Sequence, residues 1–214
     1  MNNTMRAHLR LKTGLDFSGT PVERDRTGKG VGLSFSGLAG RVTELSGQGN
    51  LANLTLACDL ILDAQREREI VAWITGKESS FYPPDAAERG IDLSALAVIR
   101  CPDRRDCARV ADRLARSGAF GLLIVDLGVK GDVSPPLQSH LAGLARTHHM
   151  AVVFLTEKAD EVPSLGSLIS LRGRTSSHRK EAGRFICSFK AIKDKRRTPG
   201  WVREGVYDGT PGLC

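Results

Sequence analysis

The residues best placed for chemistry follow the first strongly apolar strand of the chain. That strand, predicted over 41–46, is followed by Gly47-Gln48-Gly49-Asn50-Leu51-Ala52-Asn53-Leu54, and helical periodicity begins within this stretch. A strand, a glycine-bearing turn and a helix are the elements that hold phosphate groups in the pattern G-x-x-x-x-G-K-[ST]. Gly47 stands at the first glycine of that pattern, so the order of elements predicts a phosphate-binding loop.

The chemical groups of the pattern are missing. Ala52 stands at the second glycine, Asn53 at the lysine, and Leu54 at the hydroxyl that would hold Mg²⁺. Asparagine has no charge to offset a triphosphate, leucine offers no oxygen to a hard cation, and an alanine Cβ restricts how closely the loop can wrap. Gly47 and Gly49 therefore remain in a degenerate loop. We expect no ATP or magnesium cofactor, no catalytic residue and no enzymatic activity.

Two carboxylates stand where a hydrolytic site would need them. Asp126 ends an apolar strand predicted over 121–126, the position of the second magnesium-site carboxylate in such proteins. Without Mg²⁺, we expect it to be hydrogen-bonded to the degenerate loop. Glu78 follows the strand predicted over 70–75, where a general base for water would stand, although a surface glutamate is the alternative. A residual ATPase that uses both carboxylates is one alternative function.

The scaffold for these positions follows from the hydrophobic pattern. Runs that are apolar on both faces alternate with helical segments, which is typical of an α/β fold with a mainly parallel central sheet covered on both sides. From about residue 168 the helices stop, which indicates an antiparallel C-terminal extension. We predict strands over 41–46, 70–75, 96–100, 121–126 and 151–156, and helices over 51–68, 83–90, 103–118 and 134–149.

The domain organisation is predicted to be simple. Residues 1–30 are polar, rich in glycine and charge, and are predicted to form a flexible N-terminal arm. Residues 31–214 are predicted to form a single domain that includes basic C-terminal strands over 170–214. No run approaches the roughly 18 consecutive apolar residues of a membrane span, and no signal peptide is evident, so we expect a cytoplasmic location without membrane contact.

The positive charge is concentrated at the C-terminal end. Residues 1–169 carry 20 Lys and Arg against 20 Asp and Glu, whereas residues 170–214 carry 11 against 4, which accounts for the whole net charge of +7. This segment has three interpretations: it contacts nucleic-acid phosphates, it binds an acidic protein partner, or it keeps a sheet edge solvated. The residues proposed for phosphate contact are Lys190, Lys193, Lys195, Arg196 and Arg197. On a strand, Lys193, Lys195 and Arg197 would share a face, with Trp201 available to stack on bases.

The cysteines and histidines predict no metal centre. The five cysteines form no C-x-x-C pair, and their odd number argues against a disulfide framework. We expect reduced and mostly buried thiols at Cys58, Cys101, Cys107, Cys187 and Cys214.

Three collinear segments resemble the RecA recombinase family. Residues 37–56, GLAGRVTELSGQGNLANLTL, resemble the family's Gly-Arg-[Ile/Val]-x-Glu strand and the phosphate loop after it. Residues 86–103 resemble the segment after the family's second strand, and residues 111–126, ADRLARSGAFGLLIVD, resemble the stretch that ends in the Walker B aspartate. The resemblance covers about residues 32–210 and implies a RecA-like core of the P-loop NTPase fold. It also implies head-to-tail stacking of such cores.

The chain departs from the recombinase pattern in ways that change the expected function. The positions of the two DNA-binding loops are occupied by the short segments 128–136 and 157–167, and the second is acidic and would repel phosphate. We therefore expect no strand exchange. A shortened core with a degenerate loop is similar to the ImuA, or SulA-like, proteins.

The ImuA resemblance implies a nucleoid-associated accessory role in the DNA-damage (SOS) response. The partners it implies are the RecA recombinase and an ImuB-type relative of the Y-family translesion polymerases. Direct DNA binding through the basic segment is the alternative from a different functional class.

Overall fold

The computed structural model describes residues 13–15, 21–23, 33–48, 51–78, 81–129, 131–180 and 183–208. The strands are β1 (Thr13–Leu15), β2 (Pro21–Glu23), β3 (Arg41–Ser46), β4 (Val71–Gly76), β5 (Leu96–Cys101), β6 (Leu122–Gly128), β7 (Ala151–Thr156), β8 (Leu171–Arg179), β9 (Arg184–Asp194) and β10 (Val202–Asp208). The helices are α1 (Phe35–Leu38), α2 (Leu51–Arg66), α3 (Pro83–Glu88), α4 (Cys107–Arg116) and α5 (Pro135–Thr147), with short 3-10 turns at Leu93–Ala95 and Arg104–Asp106.

One sheet contains all the described strands, in the order β1-β2-β10-β9-β8-β3-β7-β6-β4-β5. The strands from β8 to β5 in this order pair in parallel, whereas β9 pairs in antiparallel fashion with β8 on one side and with β10 on the other. The α/β class, the mainly parallel sheet and the antiparallel extension are thus confirmed. Because parallel strands end at the same edge, the loops after β3, β4, β6 and β7 meet there.

Helices cover both faces of the parallel region. On one face α2 packs its buried Leu60 and Ile61 on a cluster that includes Trp73 and Phe189. On the other face α4 and α5 cover a second cluster, which includes Phe154. Strands β3, β4, β6 and β7 are buried along their whole length, which explains why the sequence shows continuous apolar runs rather than alternation.

The predicted boundaries need small corrections. Helix α2 ends at Arg66 rather than 68, and Arg68 adopts φ 64, outside the helical region. The helix predicted over 103–118 is a 3-10 turn followed by α4, because Asp103 caps the turn through a 2.9 Å hydrogen bond from Arg105 N. The first strand of the C-terminal extension, β8, begins at Leu171 and continues to Arg179.

Two short strands lie within the segment predicted to be a flexible arm. Strand β2 pairs in parallel with β10, Val22 opposite Val202, and β1 pairs with β2. The sequence pattern did not predict these six residues as strands. The rest of residues 1–30 lies outside the described residues.

A buried ion pair attaches the antiparallel extension to the core. Arg41 at the start of β3 donates a 2.5 Å hydrogen bond to Asp194 at the end of β9, and neither side chain is more than 4% exposed. Asp194 also accepts from the Trp201 indole and from the Arg196 backbone N–H. Burial alone would raise the pKa of Asp194, but these hydrogen bonds and the Arg41 charge hold it below its usual range.

Cys58, Cys101, Cys107 and Cys187 are free thiols, and all except Cys58 are buried. Cys214 lies outside the described residues. Within the described ranges, no group of three or more potential metal-ligating side chains occurs, and no helix has the length and apolar character needed to cross a membrane.

Candidate functional site

The loop after β3 lies directly against strand β8. Gly47 donates its backbone N–H to the Thr156 carbonyl at 3.2 Å. A Cβ at Gly47 would overlap the Thr175 hydroxyl and would lie 2.6 Å from the Thr175 carbonyl oxygen. Glycine is therefore required here by the closeness of β8, independently of any phosphate. Gly49 lies outside the described residues.

Asn53, which the sequence pattern aligned with a phosphate-binding lysine, is buried and hydrogen-bonded at both polar atoms of its side chain. Its Nδ2 donates to the Thr156 carbonyl at 3.2 Å, and its Oδ1 accepts from the Thr175 hydroxyl at 2.7 Å. The side chain is 1% exposed. Asn53 thus ties the first turn of α2 to the end of β7 and to the middle of β8.

The two neighbours of Asn53 are part of the apolar packing. Ala52 is buried, and Leu54, at the position of the missing metal-binding hydroxyl, packs on the cluster beneath α2. Leu54 contributes carbon atoms only, and a hard cation takes oxygen ligands.

Asp126 has partners other than those expected. Its Oδ2 accepts from the Thr75 hydroxyl on the adjacent strand β4 at 3.1 Å, and its Oδ1 accepts from the Gly128 N–H at 3.1 Å. The expected hydrogen bond to the degenerate loop is absent among the described residues, because β7 lies between β6 and β3. Burial raises the pKa of Asp126, opposed by the positive charge of Arg104 and by these two hydrogen bonds.

Glu78 contributes its backbone rather than its side chain. The residue is exposed, and its carbonyl accepts a 2.8 Å hydrogen bond from Arg104 Nη2. The structure therefore brings Arg104, Asp126 and the Glu78 carbonyl to one edge of the sheet.

Beneath the loop after β7, Glu44 of β3 forms a buried polar network. Its carboxylate is fully buried and accepts from the Thr156 hydroxyl at 3.1 Å, from the Ser164 hydroxyl at 2.9 Å and from Leu165 N at 3.0 Å. Lys158 and Arg172 lie within 3.6 and 3.8 Å. This network anchors the acidic loop 157–167 to the core. Its Asp160 also pairs with Arg174 at 2.6 Å.

The basic residues of 190–197 do not form the expected strand face. Strand β9 ends at Asp194, so Lys195, Arg196 and Arg197 lie in the turn before β10, and a common strand face for Lys193, Lys195 and Arg197 is wrong. Lys193 donates to the Gly166 carbonyl at 3.1 Å, and Arg196 donates to the Ala39 carbonyl at 3.3 Å.

Another basic face is present on the extension. Side chains alternate along a strand, so Arg174 of β8 lies on the face opposite to Thr175 and α2, and Lys180 directly follows Arg179, the last residue of that strand. The register places Lys190 opposite Arg174, and the Lys180 N–H donates to the Arg184 carbonyl across the hairpin. We call Arg174, Lys180, Arg184 and Lys190 the basic sheet face. Trp201 is not part of this face, because its ring packs on the ring of Phe189, with 5.0 Å between the two ring centroids.

A family profile of the RecA N-terminal domain matches residues 25–144, more than half of the chain. This chain belongs to the RecA N-terminal domain family. The matched residues end within α5, so β7 and the antiparallel extension lie beyond them.

The curated relatives include several proteins named RecA. The one from Chlorobium chlorochromatii is 31% identical over 150 residues, covering 63% of this chain and 42% of that protein. The one from Agrobacterium fabrum is 29% identical, with coverages of 63% and 41%. The one from Leifsonia xyli is 32% identical over 140 residues, with coverages of 58% and 39%. The chain thus spans about two-fifths of the length of these relatives.

Sequence reasoning missed three residues of this site. Glu44 could have been found, since a carboxylate within an otherwise apolar strand must have buried partners. Thr175 and Arg104 gave no such signal, because their contacts join segments that are distant in the sequence.

Proposed function

We propose that this chain is a non-catalytic accessory protein of DNA recombination and DNA-damage repair. In this proposal it binds a RecA recombinase, an ImuB-type translesion polymerase partner, or both, and it neither binds nor hydrolyses ATP. Its task is attachment. The membership in the RecA N-terminal domain family supports the recombination and repair context.

The observation that carries the proposal is the placement of Asn53. A lysine at this position would have to reach phosphate, whereas the buried Asn53 amide donates to the Thr156 carbonyl and accepts from the Thr175 hydroxyl. Leu54 packs in the apolar cluster, and both Asp126 oxygens have protein partners. These residues do not fit a magnesium–triphosphate group.

The retained core supports attachment as the remaining task. The parallel sheet, its covering helices and the strand–loop–helix unit of β3 and α2 are kept. Cores that stack head to tail use heterologous surfaces, and a member that keeps one such surface can end a filament or recruit a second protein to it. A cap of this kind needs no ATP chemistry.

Two measurements test the proposal. Purified chain is mixed with RecA filaments and with an ImuB-type polymerase partner in pull-down assays, and we expect retention by at least one of them. Calorimetric titration with magnesium and ATP is expected to give no binding heat. Failure to bind either partner would refute the attachment role, whereas saturable ATP binding with phosphate release would favour the residual ATPase of Glu78 and Asp126.

The basic sheet face favours DNA binding as a second candidate function. Four cations lie on one side of β8 and β9, and Lys180 and Arg184 are exposed. Such a face attracts a phosphate backbone through counterion release, so its affinity for DNA should fall steeply with salt. The acidic loop 157–167 lies beside it, with Asp160 already paired to Arg174.

Two sets of charge reversals separate the candidate DNA contacts. The variant K180E/R184E/K190E alters the basic sheet face, and K195E/R196E/R197E alters the turn. If the basic sheet face binds DNA, the first variant should abolish the gel shift of single- or double-stranded DNA. The second variant should then reduce the gel shift less. An equal gel shift for both variants and the wild type would exclude DNA contact by either surface.

A further inference from the structure

An open groove of about 600 Å³ runs along the outer face of α5. It is lined by Pro136, Ser139, His140, Gly143, Leu144 and Thr147. Positions 136, 140, 143 and 147 recur at the spacing of a single helix face, and they span about 16 Å along the helix axis. The groove is therefore as long as about three turns of a second helix laid beside α5.

Gly143 lies in the middle of this groove and keeps it open. A Cβ at this position would meet no atom within 4 Å, so no close contact with the described residues requires glycine here. Glycine inside a helix lowers the stability of that helix relative to alanine. What a glycine on the outer face of a helix permits is the close approach of another chain at that point.

Arginines of α4 form one edge of the groove. Arg109, Arg113 and Arg116 recur at i, i+4 and i+7, so they share one face of the helix, and all three are exposed. The stripe lies beside the groove because Arg116 Nη2 is 3.3 Å from Nδ1 of His140, which lines it. We call these three arginines the arginine edge.

The arginine edge favours separate carboxylates over a nucleic-acid backbone. Acidic side chains of the same helix turn lie among its arginines: Asp106 pairs with Arg109 at 3.3 Å, and Asp112 pairs with Arg116 at 2.9 Å. These carboxylates repel a continuous row of phosphates, whose binding depends on the number of charges neutralised. Carboxylates spaced along a partner helix can instead pair with the exposed guanidinium groups, because surface ion pairs are weak and exchange at little cost.

We propose that this groove binds an acidic amphipathic helix of a protein partner. The apolar face of that helix lies on Gly143, Leu144 and the Pro136 ring, and its carboxylates face the arginine edge. The inference rests on the proposed function and deepens it, because it assigns the surface of attachment and the chemistry of the attached segment.

Two sets of substitutions test the groove and the arginine edge separately. G143L fills the groove, and its Cβ meets open space in the free chain, so weaker binding would not result from a clash at the Cβ. G143A adds only a methyl group and replaces G143L if the leucine variant does not fold. R109E/R113E reverses two charges and leaves the contacts of Arg116 with Asp112 and His140 in place.

The matched control for the charge reversal is R66E/R68E. Both arginines are exposed, one at the end of α2 and the other just after it. Helix α2 covers the face of the sheet opposite to α4 and α5, so this variant changes the net charge equally without altering the groove.

The probe is a fluorescein-labelled synthetic peptide of about 18 residues, long enough to form a helix, with leucine on one face and glutamate on the other. Its binding to the full chain is measured by fluorescence anisotropy. We expect saturable binding to the wild type and to R66E/R68E, and binding weaker by about tenfold or more in G143L and in R109E/R113E. The same peptide with lysine in place of glutamate should not bind saturably. Circular dichroism checks the fold of each variant.

Three outcomes would overturn the proposal. These are no saturable binding of the acidic peptide to the wild type, unchanged binding in folded G143L or folded R109E/R113E, and tighter binding of a single-stranded oligonucleotide that R109E/R113E abolishes. The first needs no substitution, so it is decisive whatever the stability of the variants. Retention by RecA or the polymerase partner is measured separately. A failed pull-down with the expected peptide pattern would refute only the proposed function.

Discussion

The Thr175 hydroxyl donates a 2.7 Å hydrogen bond to Asn53 Oδ1, which joins the first antiparallel strand to the first turn of α2. The contact connects residues 122 positions apart, and both are buried. Asn53 is therefore a structural link between the family core and the C-terminal extension.

Replacing Asn53 by lysine should destabilise the fold and should not create ATPase activity. In N53K an ammonium replaces an amide that is 1% exposed, and it meets the Thr175 hydroxyl without a counter-charge. We expect a loss of roughly 3 kcal/mol in the free energy of unfolding and no phosphate release from magnesium and ATP. Urea unfolding and a phosphate-release assay check the two parts, with N53A as the control for loss of the amide alone. ATP turnover by N53K would contradict the prediction.

A methyl group at Gly47 should be destabilising because β8 lies too close. G47A places a Cβ 2.6 Å from the Thr175 carbonyl oxygen, which forces the loop or the strand to move. We expect a loss of about 1–3 kcal/mol, typical of overpacking.

Gly143 of α5 is the matched control for that substitution. A Cβ there meets nothing within 4 Å, so G143A should stabilise the protein by about 0.5–1 kcal/mol through helix propensity. Thermal unfolding of the two variants should therefore shift in opposite directions. Equal shifts would show that the approach of Thr175 to Gly47 does not restrict the loop.

The attachment of the antiparallel extension to the core should depend strongly on both Arg41 and Asp194, because they form a buried ion pair. R41M leaves a buried carboxylate without its counter-charge, and we expect a loss of about 3–5 kcal/mol. The double variant R41M/D194L removes both charges and should recover part of that loss. A double-mutant cycle by urea unfolding measures the coupling, and additive effects would contradict it.

The same pair predicts a specific sensitivity to acid. The pKa of Asp194 is lower in the folded chain than the unfolded value of about 3.9, so its contribution to stability is present above that value. It is lost as the pH falls further, through the folded pKa. The wild type should lose stability below about pH 4 more steeply than D194N. The exposed Asp208 supplies the control D208N, which should follow the wild type.

Glu44 should hold the loop after β7 against the core and so protect it from cleavage by trypsin. E44Q weakens two cation contacts and the charged hydrogen bonds to Ser164 and Leu165, so the loop should open more often. Charged hydrogen bonds are worth about 1.5–3 kcal/mol, which predicts at least tenfold faster tryptic cleavage after Lys158. The exposed Glu161 provides the control E161Q. Unchanged cleavage in E44Q would show that this network does not hold the loop.

The sequence by itself determined the α/β class and the parallel strands. Continuous apolar runs occur where a strand is covered on both faces, as in β4 and β7, so local composition was sufficient. That Asn53 carries no charge and Leu54 no hydroxyl is likewise a matter of residue type.

Only the tertiary structure decided what these residues do instead. Asn53 is hydrogen-bonded to Thr175, and Glu44 is hydrogen-bonded to Ser164. The Arg104 side chain lies across the ends of β4 and β6. All these contacts join segments that are distant in the sequence. The strand face predicted for Lys193, Lys195 and Arg197 was wrong because β9 ends at Asp194, which pairs with the distant Arg41. Periodicity reports which face of an element is apolar, but it carries no information on which distant group satisfies a buried polar atom. That is decided only when the strands are placed side by side.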